Sequence, residues 1–393
     1  MNRARLGLLT GTHAINDLYQ GLVPALLPFM VLERGYSYTE ASGLMLAATG
    51  LSSMVQPLFG LYADRSPRPW MVPAGFVVAA LGLALVGMSP DYWVSWLAAV
   101  LCGLGIAAYH PSATVAARMA GGSSQKAMSV FSVGGTAGAS FAPMLAAAVV
   151  GAGALHRSWM LALPAAAMLV LWYACTWRDG AKDHCAIRRP AVAQGELPAN
   201  HWRAFFLLCG VIVCWSIPYV TVLSTLPMFV TRELGGSDFM GAATLTSFTA
   251  AAAVGTLLGG TLADRRGRMQ AIRAGYLLAL PALAALALAS TPWMALACTM
   301  ALGVCMFLPF AAQVTLAQDY LPRNQATASG LTLGLAMSMG GMVAPLFGML
   351  SDARGLRFSL SVVLCILCVA AAQAWCMRNR RSEGSAAPAA ARA

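Results

Sequence analysis

The chain has 393 residues, of which 59% are hydrophobic and only 10% are charged. Soluble domains carry roughly a quarter charged residues, so this composition excludes a water-soluble globular protein and indicates that most of the chain lies in lipid. The ten cysteines fall almost entirely within apolar segments, which argues against a disulfide framework.

Twelve apolar stretches are long enough to cross roughly 30 Å of hydrocarbon. In chain order the predicted spans cover residues 6–32, 40–63, 70–89, 93–118, 126–152, 158–177, 204–230, 239–263, 270–289, 293–318, 325–350 and 356–377. The pattern predicts an all-α membrane protein with two six-helix bundles, residues 1–177 and 204–377. A cytoplasmic linker (178–203) separates the bundles, and a cytoplasmic tail (378–393) follows the second.

The basic residues predict the orientation of these spans. Of 25 Lys and Arg, the outer connections hold only Arg34, Arg157, Arg232, Arg354 and Arg357. Excess positive charge marks the cytoplasmic face, so both termini are predicted to be cytoplasmic, in a bacterial inner membrane. The net charge of +11 is thereby explained without a nucleic-acid partner. No cleavable signal peptide is expected, because the first apolar stretch carries polar residues and continues into a span.

A nine-residue motif recurs, from Gly60 to Arg68 and again from Gly260 to Arg268, with the first glycine, the Ala-Asp-Arg triplet and the last arginine in common. Other features recur at nearly the same offset: a proline near the end of spans 1 and 7, a proline in spans 4 and 10, and Gly-Gly followed by Ala-Pro in spans 5 and 11. This duplication predicts two half-molecules with the same membrane orientation, an arrangement typical of secondary transporters.

The repeated sequences resemble the Gly-x-x-x-Asp-Arg-x-Gly-Arg signature of the major facilitator superfamily, with Pro67 in place of a glycine. Within it the chain is most similar to the fosmidomycin-resistance group of drug exporters. The stretches that carry this resemblance are Thr12 to Gln20, Gln56 to Gly60, Pro67 to Trp70, Tyr109 to Pro111, Ala117 to Ala120, Phe131 to Gly135, Ala317 to Pro322 and Met339 to Gly341. Two departures, Ser112 for the group's glutamate and Val115 for its arginine, are expected to change proton stoichiometry or substrate charge preference.

Ionisable residues inside a span are functional candidates, because a charge in the bilayer costs several kcal/mol. His13, Asn16, Asp17 and Gln20 share one face of span 1, and Asp17 falls roughly 16 Å from its start, near the membrane midplane. His110 of span 4 falls at about the level of His13. The resemblance implies that spans 1, 4, 7 and 10 line a central cavity. We therefore predict Asp17 as the proton site, with His110 and His13 as partners; the alternative is a structural polar network that holds spans 1 and 4 together.

Further polar and aromatic residues on these spans are candidates for the substrate cavity. They are Asn16, Gln20, Tyr109, Thr114, Arg118, Trp215, Tyr219 and Gln313. Arg118 lies two turns below His110 and would meet an anionic substrate or an acidic residue at the inner mouth. The alternatives are an ordinary positive anchor for Arg118 and ordinary helix contacts for the others.

Two further sets of residues are predicted to serve the conformational change. The repeated loops are predicted to brace the closed cytoplasmic side, through Gly60, Asp64, Arg65, Arg68, Gly260, Asp264, Arg265 and Arg268; a purely topological role is the alternative. Small residues and prolines of spans 5 and 11 are predicted to be packing and hinge features between the halves: Gly134, Gly135, Pro143, Gly340, Gly341 and Pro345.

The sequence contains no nucleotide-binding P-loop, metal-ligand cluster or nucleophile–base arrangement, so neither an enzyme nor a cofactor is expected. The leading hypothesis is a monomeric, proton-coupled antiporter that exports a small polar or anionic drug or metabolite. Uptake or export of a siderophore, sugar or other metabolite is the second hypothesis, and a non-transporting receptor is the third.

Overall fold

The computed structural model describes residues 1–36, 38–65, 68–150, 154–177 and 198–377. Most of the predicted linker and the whole predicted tail lie outside these residues. The first half contains α1 Arg3–Arg34, α2 Tyr38–Met45, α3 Leu51–Arg65, α4 Met71–Met88, α5 Tyr92–Gly121, α6 Gln125–Val150 and α7 Leu163–Trp177. The second half contains α8 Trp202–Met228, α9 Asp238–Arg266, α10 Arg268–Ala287, α11 Pro292–Phe307, α12 Phe310–Tyr320, α13 Gln325–Arg354 and α14 Leu356–Cys376.

These helices form the twelve predicted crossings, and the described residues contain no strand. The second crossing is α2 and α3, joined by a π-helical turn at Leu46–Gly50, and the tenth is α11 and α12, which separate at Leu308 and Pro309. A proline removes a backbone donor and so favours a break at that point. A 3₁₀ segment, Leu155–Ala162, precedes α7, and a π-helical turn, Phe229–Glu233, follows α8. The predicted fold class is confirmed.

Eleven helical segments among the described residues are long and apolar enough to cross a membrane. The remaining crossing is α1, which has 32 residues. It carries His13, Asn16, Asp17 and Gln20 near its middle, and these polar side chains lower its hydropathy. The helix that least resembles a membrane span is therefore the one that carries the candidate proton site.

Each half has its own hydrophobic core, the first centred on Tyr19, Phe76 and Tyr109 and the second on Phe205 and Phe248. Small residues allow close packing within a half, as membrane helices generally require. A Cβ at Gly138 of α6 would collide with the Ala14 carbonyl of α1.

The two halves meet at the end of the molecule that carries the repeated loops. There α3 packs against α13, and α6 packs against α9, in a pseudo-symmetric arrangement. A Cβ added at Gly60 would lie 2.7 Å from the Ala326 carbonyl oxygen of the other half, and one at Gly260 would collide with the Ser129 hydroxyl. The first glycine of each repeat thus lets helices of opposite halves approach closely.

Candidate functional site

Asp17 lies between two histidines in the middle of the first half. His13, one turn earlier on α1, places its Nε2 3.2 Å from Asp17 Oδ2. His110 of α5 places its Nε2 3.1 Å from Asp17 Oδ1. The two histidines are only 7% and 8% exposed. The structure therefore brings the three predicted proton-site residues into direct contact; we call them the His-Asp-His cluster.

The Nδ1 atoms of both rings, which lie on the side away from Asp17, each contact a backbone carbonyl oxygen. His13 Nδ1 lies 2.7 Å from the Phe131 carbonyl oxygen of α6, and His110 Nδ1 lies 2.9 Å from the Ile106 carbonyl oxygen one turn earlier. A carbonyl oxygen only accepts hydrogen bonds, so Nδ1 donates in both cases. Each ring consequently presents Nε2 to the carboxylate.

The cluster is packed on its third side by α6. The Phe131 ring stacks on His13 with the ring centroids 4.3 Å apart. A Cβ at Gly135 would collide with the Asp17 carboxylate and would lie 2.6 Å from His13 Nε2. Only glycine fits at this position without moving the cluster.

The prediction that the glycine pairs lie between the halves is wrong for Gly134, Gly135 and Gly340. Gly134 packs against the Thr10 carbonyl of α1, and Gly340 packs against the Ser216 carbonyl of α8, so each contact stays within one half. The sequence reveals small residues but not the helix that they face. Gly341 has open space around it, and Pro143 and Pro345 are exposed positions within α6 and α13.

The other predicted cavity residues of the first half surround the cluster. Asn16 is buried and donates to Asp17 Oδ1 at 3.1 Å, while its own Oδ1 has no hydrogen-bond partner. Tyr109 is fully buried, with its hydroxyl 2.9 Å from that of Thr12. Thr114 donates to the His110 carbonyl at 2.6 Å, and Gln20 is half-buried one turn beyond Asp17.

The second half contributes aromatic and neutral groups. Trp215 is buried and donates to the Met306 carbonyl at 2.8 Å, and Tyr219 stacks on it with the ring centroids 4.9 Å apart. Gln313 is buried and donates to the Tyr276 hydroxyl at 2.5 Å. A small pocket is lined by Ile212, Trp215, Phe310, Gln313, Thr332 and Ala336. None of the described residues that line this pocket is charged.

Arg118 pairs with an acidic residue of the opposite half. Its Nη2 donates to Asp319 Oδ1 at 2.9 Å, and the other oxygen of Asp319 lies 2.5 Å from Nη1 of Arg268. Asp319 thus joins an arginine of each half. The repeat is asymmetric at this point, because Met119 stands 200 residues before Asp319, and Arg68 instead lies over the Tyr62 ring at 4.0 Å.

The repeated aspartates cap helices of the opposite half. Asp64 accepts hydrogen bonds from the Ala326 and Thr327 amides at 3.0 and 2.8 Å and from the Thr327 hydroxyl at 2.6 Å. Asp264 accepts from the Gln125 and Lys126 amides at 2.6 and 3.0 Å and from a serine hydroxyl at 3.0 Å. Each carboxylate lies at a helix N-terminus, where unpaired amides and the helix dipole favour negative charge. The other predicted gate arginines, Arg65 and Arg265, are exposed.

A second pair of repeated acids acts at the opposite end of the molecule, and the sequence reading missed it. Glu33 accepts from the Ala154 and Leu155 amides at 3.0 and 3.1 Å, and Glu233 accepts from the Leu356 amide at 2.7 Å. Each acid therefore ties the first crossing of its half to the sixth. The available signal was the offset of 200 residues between the two glutamates.

Among the described residues, only His13, Asp17 and His110 form a group whose ligand-type atoms all lie within 4.8 Å of one another. The sequence analysis expected no metal-ligand cluster, because His110 is far from the other two along the chain. The nitrogen–oxygen separations of 3.1 and 3.2 Å are hydrogen-bond lengths, which favours protons as the species held between these atoms.

Two repeated six-crossing halves that meet at one end around charged caps define a multi-pass membrane transporter, and not an enzyme. The family model of the Major Facilitator Superfamily matches residues 9–345. The chain therefore belongs to the major facilitator superfamily.

Relatives and solved structures agree with this assignment. The chain is 30% identical to the fosmidomycin resistance protein of Escherichia coli (strain K12), over 88% of this chain and 86% of that protein. It is 28% identical to the MFS-type transporter YfnC of Bacillus subtilis (strain 168), over 88% and 85%. The outward conformation of the transporter FucP matches with a TM-score of 0.76 at 16% identity, covering 95% of this chain and 99% of that one. The last likeness concerns the fold alone.

Proposed function

We propose that this protein is a proton-coupled antiporter that exports a small polar or anionic compound across a bacterial inner membrane. The observation that carries the proposal is the position of Asp17, held between two buried imidazoles on α1, the crossing with four polar side chains near its middle. A carboxylate in a membrane is energetically costly, so a carboxylate that is present there is a functional candidate by default. Imidazole is the side chain best suited to exchange protons near neutral pH.

The interface between the halves supports an alternating-access cycle. Asp64, Asp264 and the Arg118–Asp319 pair join the halves at the end that carries the repeated loops. Basic residues concentrate at this end, so we assign it to the cytoplasm. The conformation described is then closed towards the cytoplasm. Opening of that side requires these bonds to break, and rocking of one half against the other is the motion that breaks them together.

Protonation of the cluster from the outside would drive the cycle. In the outward-facing state, protons bind at Asp17 and its histidines after substrate has left. The proton-loaded cluster allows the halves to rock, and release of protons to the cytoplasm prepares the cavity for the next substrate. The likeness to the fosmidomycin resistance protein favours phosphonate-type antimetabolites as the exported compounds.

Everted membrane vesicles test this proposal. Respiration acidifies the vesicle lumen, and a pH-sensitive dye reports that acidification. Fosmidomycin, a lipophilic cation, a sugar and a siderophore are then added in turn. EDTA is present throughout to remove free metal ions. Antiport predicts that one class of compound releases protons from the lumen, and that Asp17→Asn weakens this release. His156→Gln is the matched control, because it removes an exposed imidazole at the outer end and leaves the cluster intact.

Two results would contradict the proposal. Further acidification on adding the compound would mean that protons and substrate move in the same direction. An undiminished response in Asp17→Asn, at equal expression, would remove Asp17 from the coupling mechanism.

A further inference from the structure

When both rings are neutral and Asp17 is ionised, the two contacts between the histidines and the carboxylate contain no hydrogen atom. Both Nδ1–H groups are already donated, to Phe131 and Ile106 carbonyl oxygens. With both rings neutral, each Nε2 is an acceptor, and both oxygens of an ionised Asp17 are acceptors as well. The two contacts, at 3.2 and 3.1 Å, would then each bring two lone pairs together. Each contact requires one proton.

No neighbouring side chain supplies these protons. Asn16 donates to Asp17 Oδ1 but reaches neither Nε2 in the contacts described. The Tyr109 hydroxyl is engaged with Thr12 and the Leu9 carbonyl. Ser112, which follows the His110-Pro111 pair, points its hydroxyl to Met71 Sδ at 3.5 Å.

Among the residues that the structure describes, no other charged side chain of α1, α4, α5 or α6 faces the cluster. On α5 the nearest is Arg118, two turns below His110 and bound to Asp319. On α6 the charged residue is Lys126, nine positions from Gly135 and therefore about 13 Å away along the helix. The segment α4 contains no ionisable side chain, and the charges of α1 lie at its two ends. The charge of the site is therefore set by the protons on these three residues alone.

We infer that the His-Asp-His cluster takes up two protons, one in each contact between a histidine Nε2 and the Asp17 carboxylate. The fully loaded cluster then holds two imidazolium ions and one carboxylate, with a net charge of +1, and the empty cluster has a net charge of −1. As a coupling stoichiometry this inference rests on the proposed function. For an uncharged substrate without a membrane potential, one pH unit would then sustain a gradient of about 100-fold, and not about tenfold.

Asp17→Asn should remove one of the two protons and leave the other. In place of the two carboxylate oxygens, the asparagine side chain has one oxygen acceptor and one NH₂ donor group. The NH₂ group therefore replaces one of the two protons. One histidine then keeps its neutral form with hydrogen on Nδ1, and accepts from the amide. The substitution should therefore reduce the proton count from two to one at a pH where the wild-type cluster is fully loaded.

Nitrogen NMR of the purified protein tests the proton count without any substrate. The protein is labelled with ¹⁵N-histidine, kept in detergent with EDTA and titrated from alkaline to acidic pH. The ¹⁵N shifts distinguish hydrogen on Nδ1, hydrogen on Nε2 and the doubly protonated ring. His13→Gln and His110→Gln assign the two signals, and His156→Gln removes an exposed signal as a control.

We expect two histidines that carry hydrogen on Nδ1 at high pH, and that both become imidazolium on acidification. In Asp17→Asn, one of them should remain neutral where both wild-type rings are charged. The inference is overturned if either ring carries hydrogen on Nε2 when neutral, or if only one of the two gains a proton. Should the assignment variants misfold, the same titration of a variant with His156, His184 and His201 all replaced by glutamine still decides, because its two remaining imidazoles are those of the cluster.

This experiment separates the proton count from the proposed function. Two protons without substrate-linked proton movement in vesicles would leave the count standing and refute the transport proposal. One proton with antiport intact would refute only the count.

Discussion

Asp64→Ala is expected to weaken closure of the end that carries the repeated loops more than Asp264→Ala does. The Asp64 carboxylate accepts three hydrogen bonds at the N-terminus of α13, from two amides and one hydroxyl. The first amides of a helix have no partner within that helix. In this conformation, the bonds from Ala326 and Thr327 therefore depend on a residue of the opposite half.

The magnitude follows from the number and kind of these bonds. A hydrogen bond to a charged group contributes about 1.5–3 kcal/mol when buried. Asp64 is half-buried, and water partly replaces the lost partner, so we expect a total loss of about 2–3 kcal/mol. That loss shifts the equilibrium between closed and open states by about 30- to 150-fold. Asp264 is exposed, so Asp264→Ala should cost about 1 kcal/mol, or roughly a fivefold shift.

Hydrogen–deuterium exchange measured by mass spectrometry reports this loss directly. Peptides that contain the Ala326 and Thr327 amides should exchange faster in Asp64→Ala by a factor in that range. Arg65→Ala is the matched control, because Arg65 is adjacent and exposed and should leave the exchange unchanged. Protection that stays within twofold of wild type in Asp64→Ala would refute the reasoning that this carboxylate holds the two halves together.

Three further predictions concern other contacts. Gly135→Ala should abolish proton-coupled transport in the vesicle assay, because the added methyl group would displace Asp17. Gly341→Ala is the control and should retain at least half of the wild-type rate, because Gly341 has open space around it. Asp319→Asn should increase cytoplasmic opening by about tenfold, measured as alkylation of a cysteine introduced at the inner mouth, since its ion pair with Arg118 joins the halves. Glu233→Gln should lower the thermal unfolding temperature by a few degrees without changing substrate affinity, because its bonds stay within one half. A changed substrate affinity would contradict this structural role of Glu233.

The sequence predicts the crossings well because hydropathy and length determine them. The predicted span 93–118 corresponds to Tyr92–Gly121, and 126–152 corresponds to Gln125–Val150. The π-helical turn at Leu46–Gly50 has no such signal, because local backbone irregularity depends on packing against neighbouring helices.

The candidate site could be predicted only in part. The four-residue spacing of His13 and Asp17 puts them on one helix face, and their contact follows from helix geometry. The contact of His110 with Asp17 needed the family resemblance, which implies that spans 1 and 4 are close. The partner of Arg118 could not be read from the sequence, because a pair that joins residues 201 positions apart is a property of the folded interface.

The central claim is that proton binding at the His-Asp-His cluster drives transport, and one measurement tests it most directly. Purified protein is reconstituted in liposomes, and two fluxes of radiolabelled fosmidomycin are measured for wild type and Asp17→Asn: exchange at equal pH, and accumulation driven by a pH gradient. Proton coupling at Asp17 predicts that the variant keeps exchange and loses most of its accumulation. Accumulation by the variant at the wild-type rate, or wild-type flux that does not respond to the gradient, would contradict it.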